Sequence, residues 1–182
     1  MKKQALVFAI CIAAFTSTHA NQQSAYVGQE SRDIKALSQQ EIDSILAGKG
    51  MGFAKAAEMN GYPGPTHVLE LADKLELAPE QRAHTQAIFE RMESSAKALG
   101  AQLIEAERSL ELLFRSRTIE PASLRAAVER VAGLQAQVRV AHLQAHLEQT
   151  AVLTAAQASI YSKLRGYGAP SAGHTGHAHK HQ

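Results

Sequence analysis

Between positions 89 and 145 the apolar residues fall into two runs, each repeating every seven positions. The first carries Phe89, Met92, Ala96, Leu99, Leu103, Ala106, Leu110 and Leu113; the second carries Leu124, Ala127, Val131, Leu134, Val138, Ala141 and Ala145. Alternating steps of three and four residues put one apolar seam on each of two helices. If Leu113 faces Leu124 across a turn, the other positions fall into step. Leu110 then meets Ala127, Ala106 meets Val131, Leu103 meets Leu134, Leu99 meets Val138, Ala96 meets Ala141 and Met92 meets Ala145. Two seams sharing one antiparallel register define a hairpin, some 50 Å long at about 1.5 Å per residue. The fold class is all-α: a long antiparallel helical hairpin with shorter flanking helices.

Local signals place the helix ends. Pro79 suits the first position of a long helix running to about Arg117, and Pro121 opens the second, with Glu120 held extended before it. The short link from Thr118 to Glu120 fits an antiparallel pair. Ser38-Gln-Gln-Glu41 is a capping box that starts a helix predicted to reach about Met59, weakened in its middle by Gly48, Gly50 and Gly52. Asn60-Gly-Tyr-Pro-Gly-Pro65 ends it, and Thr66 is expected to cap a short helix from His67 to about Leu75. Thr154-Ala-Ala-Gln157 is a second capping box, and its helix should stop near Arg165-Gly166. Leu112, Phe114, Leu143 and Leu147 lie off the seam. Covering them requires the N-terminal helices or a second copy, so a homodimer is expected.

The N-terminus reads as an export signal. Lys2 and Lys3 precede the apolar run Ala5–Phe15, and Thr-Ser-Thr-His-Ala20 ends in small residues suited to cleavage. That apolar run falls well short of the roughly 20 residues needed to span a bilayer. The expected organisation is a signal peptide over 1–20, a flexible lead-in over 21–37, a helical domain over 38–166 and a disordered His-rich tail over 167–182. Cleavage would remove Cys11, the single cysteine, and with it any thiol or disulfide chemistry. It would also remove two of the 19 basic residues, leaving 17 against 17 acidic ones. That balance argues against nucleic acid as a partner, since no basic surplus remains to neutralise phosphates. No nucleophile triad or paired-aspartate site is visible, and the glutamates are interleaved with Arg and Lys as on a solvated face; the chain does not read as an enzyme.

Two phrases frame the hairpin: Leu77-Ala-Pro-Glu-Gln81 before its first helix and Leu153-Thr-Ala-Ala-Gln157 after its second. The second matches, and the first nearly matches, the LTxxQ motif of the Spy/CpxP/ZraP family of periplasmic proteins. The chain resembles that family over Thr66 to Gly166 and, more loosely, the CnrX-type periplasmic metal sensors. The resemblance implies a dimeric helical hairpin in the Gram-negative periplasm and roles in ATP-independent chaperoning, envelope-stress control, or metal sensing or storage. The chain departs from the motif at Ala78, where the family has a capping Thr, and it lacks an N-terminal His-rich segment of the CnrX type.

Histidines carry the chemistry. His174, His177, His179 and His181 crowd into eight residues, a chelating tail for Zn²⁺, Ni²⁺ or Cu²⁺ or a soluble tail of biased composition. His142 and His146, one helical turn apart, can offer two imidazoles to one ion. Zinc takes four ligands, so the pair is half a site, with Glu90 and Glu93 as the nearest further candidates. Alternatively both histidines sit beside the seam, bonded to those carboxylates or to water. His67 with Met51 and Met59 suggests a softer Cu(I) site, against the ordinary reading of methionine as core filler. His84 is expected to be exposed. Two functions follow: a holdase for unfolded client proteins with metal bound through histidines, or a heavy-metal sensor or buffer acting on a membrane sensor protein.

Overall fold

Prolines and capping boxes set most of the helix boundaries. The computed structural model describes residues 24–167. It comprises α1 (Gln39–Leu46), α2 (Lys55–Glu58), α3 (Pro65–Glu70), α4 (Pro79–Arg115), α5 (Pro121–Val152) and α6 (Ala155–Leu164). Every regular element among the described residues is a helix, and none is long and apolar enough to cross a membrane. The signal segment over 1–20 and His174, His177, His179 and His181 lie outside the described residues. The chain up to Ser31 is a separate unit whose described part is a run of turns, and all six helices belong to the unit from Arg32 onward.

The hairpin is α4 packed along α5. Pro79 and Pro121 open the two helices, and Glu120 is extended as its following proline requires (φ −110°, ψ 153°). Side-chain pairs confirm the antiparallel register to within a turn: Arg91 donates to Glu148 at 2.8 Å, and Gln149 donates to Thr85 at 3.1 Å. The seam holds through Ala96, Leu103, Ala106, Val131, Leu134, Val138 and Ala145, all buried. Towards the open end it departs from the strict heptad. Ala141 is only half-buried, and His142, His146 and Gln149 are buried instead; on α4, Thr85 and Ile88 are buried where Phe89 and Met92 were expected. A straight helix drifts about 20° per heptad from a seven-residue repeat, so an uncoiled pair rotates its inward face off the seam.

Three shorter segments differ from expectation. α1 stops at Leu46 rather than near Met59, because Gly48 takes the left-handed conformation (φ 67°) and its N–H bonds back to the Ile45 carbonyl at 3.0 Å. Only the four residues of α2 are helical beyond it. α3 begins at Pro65 with Gly64 as its cap, not at Thr66, and ends at Glu70 in turns. The end of the lead-in is anchored: Ile34 is buried, Lys35 Nζ pairs with Glu111 at 2.6 Å, and Arg108 pairs with Asp33.

These segments cover one side of the hairpin. α1 and α3 pack on α4 and α2 on α5, all within one chain. α1 approaches so closely that a Cβ at Gly100 would lie 2.5 Å from the Ile45 carbonyl oxygen, which makes glycine obligatory there. Ile34, Ile45, Leu103, Ile104, Ala106, Val131 and Leu134 form one core cluster; Val68, Ala72, Leu75, Leu77 and Tyr161 form another around α3 and α6. Each fully buried Ile, Leu or Val there contributes about 1.5–3 kcal/mol. His142 and His146 fall in the stretch of α5 between these clusters.

Candidate metal centre

A cleft of about 930 Å³ opens between the hairpin and the segment from Ala47 to His67. Its floor comes from α4 and α5, with Phe89, Met92, His142 and His146; its rim comes from the glycine-rich turn and α2, with Met51, Glu58 and Met59. The turn exists because glycines end α1 early, so the same residues that shorten the helix make the wall.

His142 is 3% exposed and its Nε2 is buried without a hydrogen-bond partner. Its ring stacks on Phe53, centroids 6.4 Å apart, and its Nδ1 side faces Gly50. Burial, with His146 adding to it, holds its pKa below the ordinary imidazole range, so the ring is neutral and keeps a free lone pair at neutral pH. His146, 7% exposed, lies one turn on. Its Nδ1 bonds the Tyr62 carbonyl at 2.8 Å, and since a carbonyl only accepts, Nδ1 carries the proton. That fixes the tautomer that leaves Nε2 free, the arrangement by which a backbone carbonyl orients a metal-ligating histidine.

Space for that ring depends on Gly64, where a Cβ would come 2.8 and 2.9 Å from His146 Cε1 and Nε2. Glu58 completes the wall. Its Oε1 accepts from Tyr161 Oη at 2.5 Å, Tyr167 Oη at 3.1 Å and Arg165 Nε at 3.3 Å. Its Oε2 is buried and unpartnered, 3.8 Å from His146 Nδ1. Burial first, then the bond to Glu58, pushes the Tyr161 phenol far above its usual range, so it stays protonated and donating.

The carboxylates expected beside the histidines take other roles. Glu93 reaches the cleft but pairs with Lys97 at 3.1 Å; Glu90 accepts from Gln86. His84 is exposed, as expected, and His67 lines the cleft with its Nδ1 on Glu70 at 2.9 Å. Sequence reasoning missed Glu58, Gly64 and Tyr161. Glu58 and its phenol are 103 positions apart, beyond any local pattern. The phrase Gly-Tyr-Pro-Gly-Pro was legible only as a helix stop.

The donor set fits a metal ion in part. Two imidazoles, one orphaned and one oriented by a backbone carbonyl, suit a divalent or soft transition metal. Among the described residues, however, no three His, Cys, Asp or Glu side chains are placed to hold one ion together. The protein is thus a helical hairpin carrying a two-imidazole cleft.

The profile of heavy-metal resistance proteins matches residues 50–159, which span α2 through the first half of α6. The chain belongs to this heavy-metal resistance family, and its role is metal-related. No curated protein and no solved structure matches it.

Proposed function

We propose that this protein binds heavy-metal ions in the periplasm, with His142 and His146 as the imidazole donors of the cleft. The observation that carries this reading is the buried, unpartnered Nε2 of His142 beside an imidazole whose Nδ1 is already committed to a backbone carbonyl. A neutral imidazole left without a partner in a protein interior costs about 1–3 kcal/mol, and an ion would offset it. His142 and His146 bind the ion, Tyr62 holds the His146 tautomer, and Phe53 stacks on the His142 ring to hold its orientation. The tail histidines 174, 177, 179 and 181 would add a second, less selective site. Titration calorimetry of the full chain with Zn²⁺, Ni²⁺ and Cu²⁺ tests this. One tight site should disappear in the His142→Ala, His146→Ala variant; unchanged stoichiometry and affinity would sink the reading.

A second function is supported by a different surface. Leu112, Phe114, Leu124, Val128, Val140 and Leu147 are exposed along α4 and α5. Such side chains beside Arg and Glu support an ATP-independent holdase surface, or the contact face of a homodimer. Slowed aggregation of a chemically unfolded client, equal in chelator and in zinc, is the expected holdase result. A change of assembly on metal addition, without protection, would favour a sensor acting on a membrane partner.

A further inference from the structure

Met51, Met59 and Met92 are the methionines that follow the initiator in this chain, and all three line the cleft with His142 and His146. None is core filler. Met51 is 44% and Met59 59% exposed at the rim, while Met92 is half-buried in the floor. Met51 and Met59 thus leave their thioethers open at the cleft rim instead of packing them in a core cluster. Met51 also sits at φ 44°, a left-handed conformation that a long side chain rarely takes, between Gly50 and Gly52. A third glycine there would relieve the backbone, yet the position carries a thioether side chain that lines the cleft.

We infer that the cleft is selective for a soft monovalent d¹⁰ cation, Cu(I), which binds through His142 and His146 with thioether sulfur from the methionines completing its coordination. The inference rests on the metal-binding reading above and specifies its ligand class. Three observations point the same way. Although His67 also lines the cleft, among the described residues no third imidazole or carboxylate is placed to share an ion with His142 and His146, a deficit that matters less to Cu(I) than to a four-coordinate dication. Thioethers are poor ligands for hard dications and good ones for Cu(I). The charges lining the cleft are three lysines (Lys49, Lys55 and Lys97) against two glutamates (Glu58 and Glu93), a balance that penalises a dication more than a monocation. Binding involves no change of oxidation state, provided that copper arrives already reduced.

The test uses the full chain and three variants: Met51→Leu with Met59→Leu and Met92→Leu; His142→Ala with His146→Ala; and both sets combined. Cu(I) affinity is read by competition with bicinchoninate under ascorbate, and Zn²⁺ affinity by competition with a chromogenic chelator. The tail histidines contribute equally to every variant. The triple leucine variant should lose about tenfold or more in Cu(I) affinity, the scale of losing a metal-tuning contact, while zinc affinity holds. An unchanged far-ultraviolet circular dichroism spectrum and melting midpoint show that the variant is folded. The Cu(I)-loaded wild type should show a sulfur shell by X-ray absorption that the leucine variant lacks. Unchanged Cu(I) affinity in the leucine variant, or an equal loss for both metals, overturns the inference while leaving the histidine site standing. If the alanine pair changes neither metal, the metal reading itself falls, and this inference with it.

Discussion

Gln81 and Gln157, the last residues of the two related phrases, donate to each other. Gln81 Nε2 bonds Gln157 Oε1 at 2.8 Å, and Gln157 Nε2 bonds Gln81 Oε1 at 3.0 Å. Each amide also donates to a backbone carbonyl, Val152 for Gln81 and Leu75 for Gln157, and each oxygen accepts from its own helix cap. The motif is therefore one latch made from two halves, closing the open end of the hairpin. Gln81→Ala and Gln157→Ala should each destabilise the fold by about 1–3 kcal/mol, because each strands the partner amide. Urea melts of the two single variants and the double variant check this. The double variant should lose less than the sum, with a coupling of about 0.5–3 kcal/mol.

Ala78 caps α4 without a side-chain acceptor, although its backbone (φ −59°, ψ 154°) already has the extended form a capping residue uses. Thr154, at the equivalent place before α6, accepts from the Gln157 N–H at 3.2 Å. Ala78→Thr should therefore stabilise the protein by about 1 kcal/mol. The denaturation midpoint reads this, and metal affinity should not move.

Gly64→Ala tests the seat of His146. A methyl group within 3 Å of the ring forces it to move, at about 1–3 kcal/mol for overpacking. The ring would lose its bond to Tyr62, and metal affinity should fall about tenfold or more through the freed tautomer. If affinity holds while stability drops, His146 is a structural residue only.

Glu107 is buried on α4, and burial raises its pKa above the ordinary carboxyl value. A carboxyl raised on folding binds its proton more tightly in the native state than in the unfolded chain. Its ionisation therefore costs stability as pH rises through the unfolded value of 4.5 towards the folded one, and that loss persists at neutral pH. Glu107→Gln should be more stable than wild type at pH 7, and the advantage should shrink as pH falls below about 4.5. Paired thermal melts from acid to neutral pH follow the difference.

Much of the fold was legible because its signals are local. Pro79, Pro121 and the Ser38 and Thr154 boxes each act within a few residues and sit where the pattern put them, and the paired seams hold over most of the hairpin away from its open end. What escaped is non-local. The burial of His142 and His146 depends on a slow rotation of the helix face along α5, which a strict seven-residue count hides. The short α1 depends on Gly48 reaching its left-handed form instead of continuing a helix it merely weakens. His142 and His146 were visible as a pair, and Met51 and Met59 as a cluster near His67. Glu58 was invisible as their neighbour, because its partners come from the far end of the chain.

Glu58 also closes the chain on itself. Its bond to Arg165 joins positions 107 apart, so one carboxylate ties off nearly the whole helical domain as a loop. A disulfide would close such a loop covalently, but the sequence has a single cysteine, Cys11. An ionic clasp, unlike that covalent link, leaves the unfolded chain unrestricted and holds the loop only once the domain has folded. It can therefore be released and remade without redox chemistry, at the wall of the cleft where the ion would bind.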